Sequence, residues 1–264
     1  MHPYLYAFDL KVHANVWVHV ASLKKYVYNP GVRDKLVLPD LHRDLIDVLA
    51  SDMDVLMEDV LGDKSGGSII LCRGAPGLGK TLTAQVWSEV IGKPLYSVHG
   101  GQLGSSAATV EKSLVVILER AARWQAVVML DEAPVYIRRR GDDMEQSAVV
   151  AVFLRVLETF PGLMFMTTNR GSEVDDAIES RCIALITYET LNESDTKLLW
   201  KILSKQFGAA IDDKLVEELV ASFGCLAGRD IKGLVKLASK FVRKRSVPYS
   251  VDLFRQCAQF RGVV

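Results

Sequence analysis

The sequence predicts an α/β fold built on a parallel sheet, followed by a smaller all-helical part. Three observations lead there. The apolar, largely β-branched run Ser68-Ile69-Ile70-Leu71-Cys72 enters a glycine-rich turn at Gly74–Gly79. Thr81 to Val90 then contains neither Gly nor Pro before Gly92 stops it, so the unit reads as buried strand, turn and helix. Short apolar runs recur at Leu95 to Val98, Ala126 to Leu130, Leu163 to Met166 and Ile183 to Thr187, with helical spacing between them. After Asn192 only helical periodicity remains.

Taken in order, residues 1 to 30 are aromatic-rich. Val16, Val18 and Val20 alternate with Trp17 and His19, which predicts a strand, and Tyr28-Asn29-Pro30-Gly31 reads as a turn. Such a segment packs either on the sheet edge or on a neighbouring subunit. From Pro39, Leu45, Leu49, Met53 and Leu56 recur at three- and four-residue spacing until Gly62 and Gly66-Gly67 break the pattern. A helix from about Thr109 places Val110, Leu114, Ile117, Leu118 and Ala121 on one face. A second amphipathic helix turns Ala148, Val149, Val152, Phe153, Val156 and Leu157 inward. In the helical part, Asn192, Asp212 and Ser250 are candidate N-caps, and Gly208 and Gly224 candidate stops. The expected division is an N-terminal segment 1–34, an α/β unit 35–189 and a helical unit 190–264.

Composition bounds the function. Apolar residues make up 49% and charged residues 24% of 264, the values of an ordinary globular protein. The formal net charge is zero, which argues against nucleic-acid binding through bulk charge, although a local patch escapes this count. The dispersed Cys72, Cys182, Cys225 and Cys257 form no Cys-x-x-Cys pair and read as reduced thiols of a cytoplasmic protein. No apolar run approaches membrane-spanning length. His13 and His19 lack a third ligand nearby and read as surface or packing residues.

The chemistry begins at Gly74-Ala75-Pro76-Gly77-Leu78-Gly79-Lys80-Thr81, which fills every fixed position of the phosphate-binding loop, with Leu82 following in the helix. Backbone N–H groups at a helix N-terminus favour an anion, Lys80 reaches the outer phosphates, and the Thr81 hydroxyl can hold Mg²⁺. A nucleoside triphosphate is therefore the expected ligand. The strand Ala126 to Leu130 runs straight into Asp131-Glu132. Adjacent acids at the crevice end of a buried parallel strand are costly unless they serve the ligand. Either they cap the next turn, or Asp131 holds the Mg²⁺ shell and Glu132 orients and deprotonates water. The strand Leu163 to Met166 ends in Thr167-Thr168-Asn169-Arg170, whose amide can hydrogen-bond the attacking water or the γ-phosphate. Arg138-Arg139-Arg140 reads equally as a solvated turn or as a face toward a neighbour's acids.

GAPGLGKT, VVMLDEA, TTNR and DDAIESRC, in that order and ahead of a helical tail, resemble the AAA+ ATPase module over about residues 35 to 245. TTNR with the aspartate-rich turn and arginine is similar to the second homology region of the AAA clade. The resemblance implies a P-loop NTPase sheet of order 5-1-4-3-2 with a C-terminal helical lid. It also implies ATP and Mg²⁺ as cofactors, hydrolysis to ADP, and a homo-oligomeric ring, usually a hexamer, acting on a protein substrate. Carried over, Asn169 is sensor 1 and Arg181 the finger reaching a neighbour's γ-phosphate. Three positions depart from the pattern. Gly228-Arg229-Asp230 replaces Gly-Ala-Asp, so Arg229 is either a sensor-2 arginine touching nucleotide or a surface residue of a first turn. The loop Gln102-Leu103-Gly104-Ser105-Ser106 lacks the aromatic of threading relatives and leaves Leu103 as its only sizeable apolar side chain. Pro134 stands where an acid is common.

The leading expectation is an ATP-hydrolysing ring that remodels a protein or complex. The alternative is an ATP-dependent assembly switch or scaffold, including a clamp-loader-like role on nucleic acid, which the neutral charge disfavours. A GTPase is disfavoured because Asn-Lys-x-Asp is absent, and a small-molecule kinase by the Asp-Glu pair and the helical tail.

Overall fold

A computed structural model describes residues 2–51, 67–139, 144–169 and 174–263. Two strands open the chain, β1 (Tyr4–Asp9) and β2 (Ala14–His19), paired antiparallel. Only the second was expected. The connecting turn carries no glycine, and its left-handed position is His13 at φ 56°, so the usual hairpin signal is missing. Phe8 packs against Tyr96 and Trp124 with ring centroids 6.0 and 5.2 Å away, and the Arg120 guanidinium lies 4.8 Å over its ring. That end of the hairpin therefore packs on the molecule's own sheet edge, while Tyr4, Tyr6 and Trp17 stay exposed. The expected turn at residues 28–31 instead leads into a 3-10 helix over Pro30–Lys35.

The central sheet contains β3 (Ile69–Gly74), β4 (Leu95–His99), β5 (Val127–Asp131), β6 (Met164–Thr168) and β7 (Ala184–Tyr188), all parallel and ordered β4-β5-β6-β3-β7. Counted from the strand that enters the glycine turn, this is the predicted order 5-1-4-3-2. Because strand side chains alternate, the sheet separates two cores. Ile69, Leu71, Val128, Leu130, Met164 and Met166 face α3 (Ala107–Trp124) and α5 (Met144–Leu157), meeting Leu114, Leu118 and Phe153. Ile70, Cys72, Val127, Met129 and Phe165 face α1 (Asp40–Ser51) and α2 (Lys80–Ile91), meeting Ile46 and Trp87.

Two helix details differ from the sequence expectation. Ser106 accepts from the Thr109 N–H and starts α3 two residues early. In α5 Val150 is buried and Ala148 exposed, because the inward face is centred on Val149, Val150 and Phe153. Met53, Leu56, Gly62 and Gly66 lie outside the described residues. Two short helices, α4 (Pro134–Ile137) and α6 (Asp176–Arg181), follow β5 and precede β7.

The tail is helical, as expected: α7 (Glu193–Phe207), α8 (Asp213–Phe223), α9 (Gly228–Arg245) and α10 (Val251–Arg261). The side chains of Asn192, Asp212 and Ser250 accept the N–H groups of Asp195, Leu215 and Leu253, capping three of these helices. Gly208, with φ 62°, closes α7 in the left-handed conformation. Trp200, Leu219, Ile231, Leu234 and Phe254 form a separate buried cluster. Among the described residues, no helix is long and apolar enough to cross a membrane.

Candidate active site

A cavity of about 860 Å³ opens where the C-terminal ends of β3, β5 and β6 meet the first turn of α9. Its lining includes Pro76 to Leu82, Asp131, Glu132, Asn169 and Arg229, so the crevice gathers side chains from segments far apart in the chain.

The glycine turn has the shape an anion cradle needs. Gly74, Gly77 and Gly79 take φ of 147°, 85° and 106°, a region that other residues enter only with strain. Gly79 is the N-cap of α2, so the positive end of the helix and its free N–H groups face the cavity. Lys80 is buried, and its Nζ donates to the carbonyls of Gly74 and Ala75, both at 2.7 Å. Burial pulls its ammonium below the usual lysine range, partly offset by the attraction of Asp131. An anion in the cradle would offset the same desolvation.

Asp131 receives two hydroxyls. Thr81 Oγ1 donates to its carboxylate oxygens at 3.1 and 3.3 Å, and Thr167 Oγ1 donates to Oδ1. Thr167 Oγ1 also accepts the Glu132 N–H at 3.1 Å. Glu132 adopts φ +55°, an uncommon region for a glutamate. A backbone held there by its surroundings stores strain of about 1–3 kcal/mol, and such positions cluster at functional sites. The hydroxyl of Thr81 and the carboxylate of Asp131 are hard oxygen donors of the kind that hold Mg²⁺ alongside phosphates. Among the described residues no cluster of three His, Cys, Asp or Glu exists, so a metal here would take the rest of its shell from nucleotide and water.

Asn169 follows β6 directly and is exposed on the cavity wall, while Thr167 and Thr168 before it are buried. Its neighbour Arg170 lies outside the described residues.

Residues 70–189 match the model of the "ATPase family associated with various cellular activities (AAA)". This segment is an AAA ATPase module. Relatives include human fidgetin-like protein 1, 27% identical over 182 residues, covering 64% of this chain and 27% of the relative. The 26S proteasome regulatory subunit 4 homolog of Schizosaccharomyces pombe is 27% identical over 214 residues, 75% of this chain and 47% of its own length. Spastin of Gallus gallus is 23% identical over 245 residues, 88% and 40%. The chain thus matches about a quarter to a half of the length of these curated relatives.

The two arginines singled out in the sequence, Arg229 and Arg181, occupy different places. Arg229, in the first turn of α9, lines the cavity, and its N–H lies 3.4 Å from the Gly77 carbonyl. A Cβ on Gly77 would stand 2.9 Å from the Arg229 Cβ, so the missing side chain lets the helical tail rest on the loop. Arg181, at the last position of α6, is absent from the described cavity lining and forms an ion pair with Glu158 at the surface.

Sequence reasoning missed several contributors. Val32, Lys35, Leu36 and Val37 form one wall, and Gln206 and Lys232 join from the tail. These segments carry no motif, and only the chain path brings them to the cavity. Tyr188 is the other omission. Its carbonyl would lie 2.4 Å from a Cβ on Gly74, and its hydroxyl lies 2.6 Å from Thr83 Oγ1, which donates to the Gly79 carbonyl at 3.1 Å. One residue at the end of β7 thus supports both ends of the glycine turn. Burial pushes the Tyr188 hydroxyl far up, and pushes the neighbouring Cys72 thiol up to about 12, so both stay neutral.

Proposed function

We propose that this AAA module binds ATP with Mg²⁺, hydrolyses it to ADP and phosphate, and works as a ring whose subunits share each site to remodel a protein or complex. The observation that carries this reading is the convergence of Lys80, Thr81, Asp131 and Glu132 at the mouth of one cavity, with Arg181 outside it.

In this reading the loop N–H groups and Lys80 hold the phosphates, and Thr81 and Asp131 hold Mg²⁺. When bound, the ion would neutralise negative charge on the phosphates. Glu132 accepts a proton from water as that water attacks the γ-phosphorus. The bond from the γ-phosphorus to the bridging oxygen breaks, and its electron pair leaves with ADP. Asn169 orients the water or the γ-phosphate. Arg229 bridges nucleotide and helical tail.

Arg181 serves the next subunit. To do so it must leave Glu158, which costs little because exposed ion pairs contribute about 0–1 kcal/mol. Action on a protein partner is supported by one relative's name, which makes it a proteasome regulatory subunit. Glu132→Gln tests the chemistry. Nucleotide binding should persist while ADP release falls about 10²-fold or more, the scale of a lost general base. Lys80→Ala should abolish binding instead. Parental turnover in Glu132→Gln would remove the assignment of Glu132.

A further inference from the structure

The zero net charge conceals an uneven distribution. Residues 225–264 hold nine Arg and Lys against two Asp, a surplus of seven, so the other 224 residues carry the opposite balance. Much of the surplus lies on α9. Lys232, Lys236, Lys240 and Lys244 follow one another at four-residue spacing, about 6 Å of helix axis per step, and so share one face. All four are exposed, as is Arg243 beside them, and none of the five is ion-paired among the described residues. The two acids of the segment are already engaged, Asp230 with Arg261 and Asp252 with Arg255. Five uncompensated cations on one helix face repel one another at a cost in stability. A bound polyanion would remove that cost.

A second observation indicates which polyanion. Where the basic row ends, Phe241 of α9 stacks on Phe260 of α10, with centroids 6.3 Å apart and planes 13° apart, and the Arg245 guanidinium lies 5.1 Å from the Phe241 ring. Phe260 is 75% exposed, an unusual place for a phenylalanine in the last turn of a helix. A flat aromatic face beside a row of cations suits an unpaired base, which stacks on the ring while its phosphates meet the cations.

We propose that the α9–α10 face binds single-stranded nucleic acid, with Lys236, Lys240, Arg243 and Lys244 on successive phosphates and Phe260 under a base. This surface is separate from the hydrolysis residues and reverses the expectation drawn from net charge alone.

The test uses the full chain and a fluorescein-labelled 20-mer of oligo(dT), read by anisotropy across a salt series. Four neutralised phosphates predict a slope of log affinity on log salt near about −3, at roughly −0.7 per phosphate. The triple variant Lys236→Glu/Lys240→Glu/Lys244→Glu should flatten the slope toward zero. Phe260→Ala should weaken binding about tenfold and leave the slope unchanged. Unchanged ATP affinity in each variant confirms that it folds, because none of these side chains lines the cavity. Absence of oligo(dT) binding at low salt would overturn the proposal. So would equal binding of poly-glutamate or anionic lipid vesicles with no effect of Phe260→Ala, since the face would then be a general anion surface.

Discussion

Single side chains at the cavity act mostly through what they hold in place. Tyr188 is the clearest case, since its backbone abuts Gly74 and its hydroxyl reaches Gly79 through Thr83. Tyr188→Phe keeps the ring and removes only the hydroxyl. The loss of one buried hydrogen bond should cost about 1 kcal/mol of stability. Nucleotide affinity should fall several-fold, while turnover at saturating ATP stays near parental. Isothermal titration and steady-state kinetics on the same preparation separate the two effects, and unaltered affinity would show that the brace is idle. Nothing in the sequence announces Tyr188, because its role depends on β7 lying beside β3. That Lys80, Thr81 and Asp131 meet at one cavity was legible, the first two from the fixed spacing of the glycine loop and Asp131 from the acid pair that ends an apolar strand. Arg229 was half legible. Its position in the chain left a surface role equally open, and only its approach to Gly77 brings it to the cavity.

Among the elements, the loop after β4 turns inward. Leu103, its only sizeable apolar side chain, is fully buried in one core cluster with Val98, Val110 and Tyr136. The loop is also tied down, since the Tyr136 hydroxyl lies 2.5 and 2.7 Å from the carbonyls of Gly100 and Gly104. A Cβ on Gly100 would stand 2.5 Å from the Glu132 carbonyl, so the loop packs directly against the backbone of the proposed base. Leu103→Ala should therefore act as a core truncation, lowering stability by about 2–5 kcal/mol. Thermal unfolding with and without ATP checks this. A variant of parental melting temperature that lost only substrate unfolding would instead make Leu103 a grip. Buried strands and capped helices were readable because period, glycine stops and Ser, Asp or Asn caps are local signals. The first strand of the hairpin was not, because His13 holds the left-handed turn position where glycine or asparagine usually signals it.

For the whole molecule the arrangement is a three-layer α/β body with a helical tail reaching back to its glycine turn. Fold class was legible because alternating buried strands and helices admit few topologies, whereas the strand order came only with the resemblance to the AAA+ module. The charge asymmetry was not, because a sum over 264 residues cancels a surplus confined to the last forty. The central claim is that each ATP is completed by Arg181 of a neighbouring subunit, since that side chain lies outside its own cavity lining. A finger arginine contributes about 10³-fold or more to phosphoryl transfer, so Lys80→Ala and Arg181→Ala should each be inactive alone. The decisive measurement is ATPase activity after the two variants are mixed, with light scattering to verify that they co-assemble. Interfaces pairing an intact loop with an intact Arg181 should restore partial, concentration-dependent turnover. Full activity from a monomer, independent of concentration, would contradict the shared site.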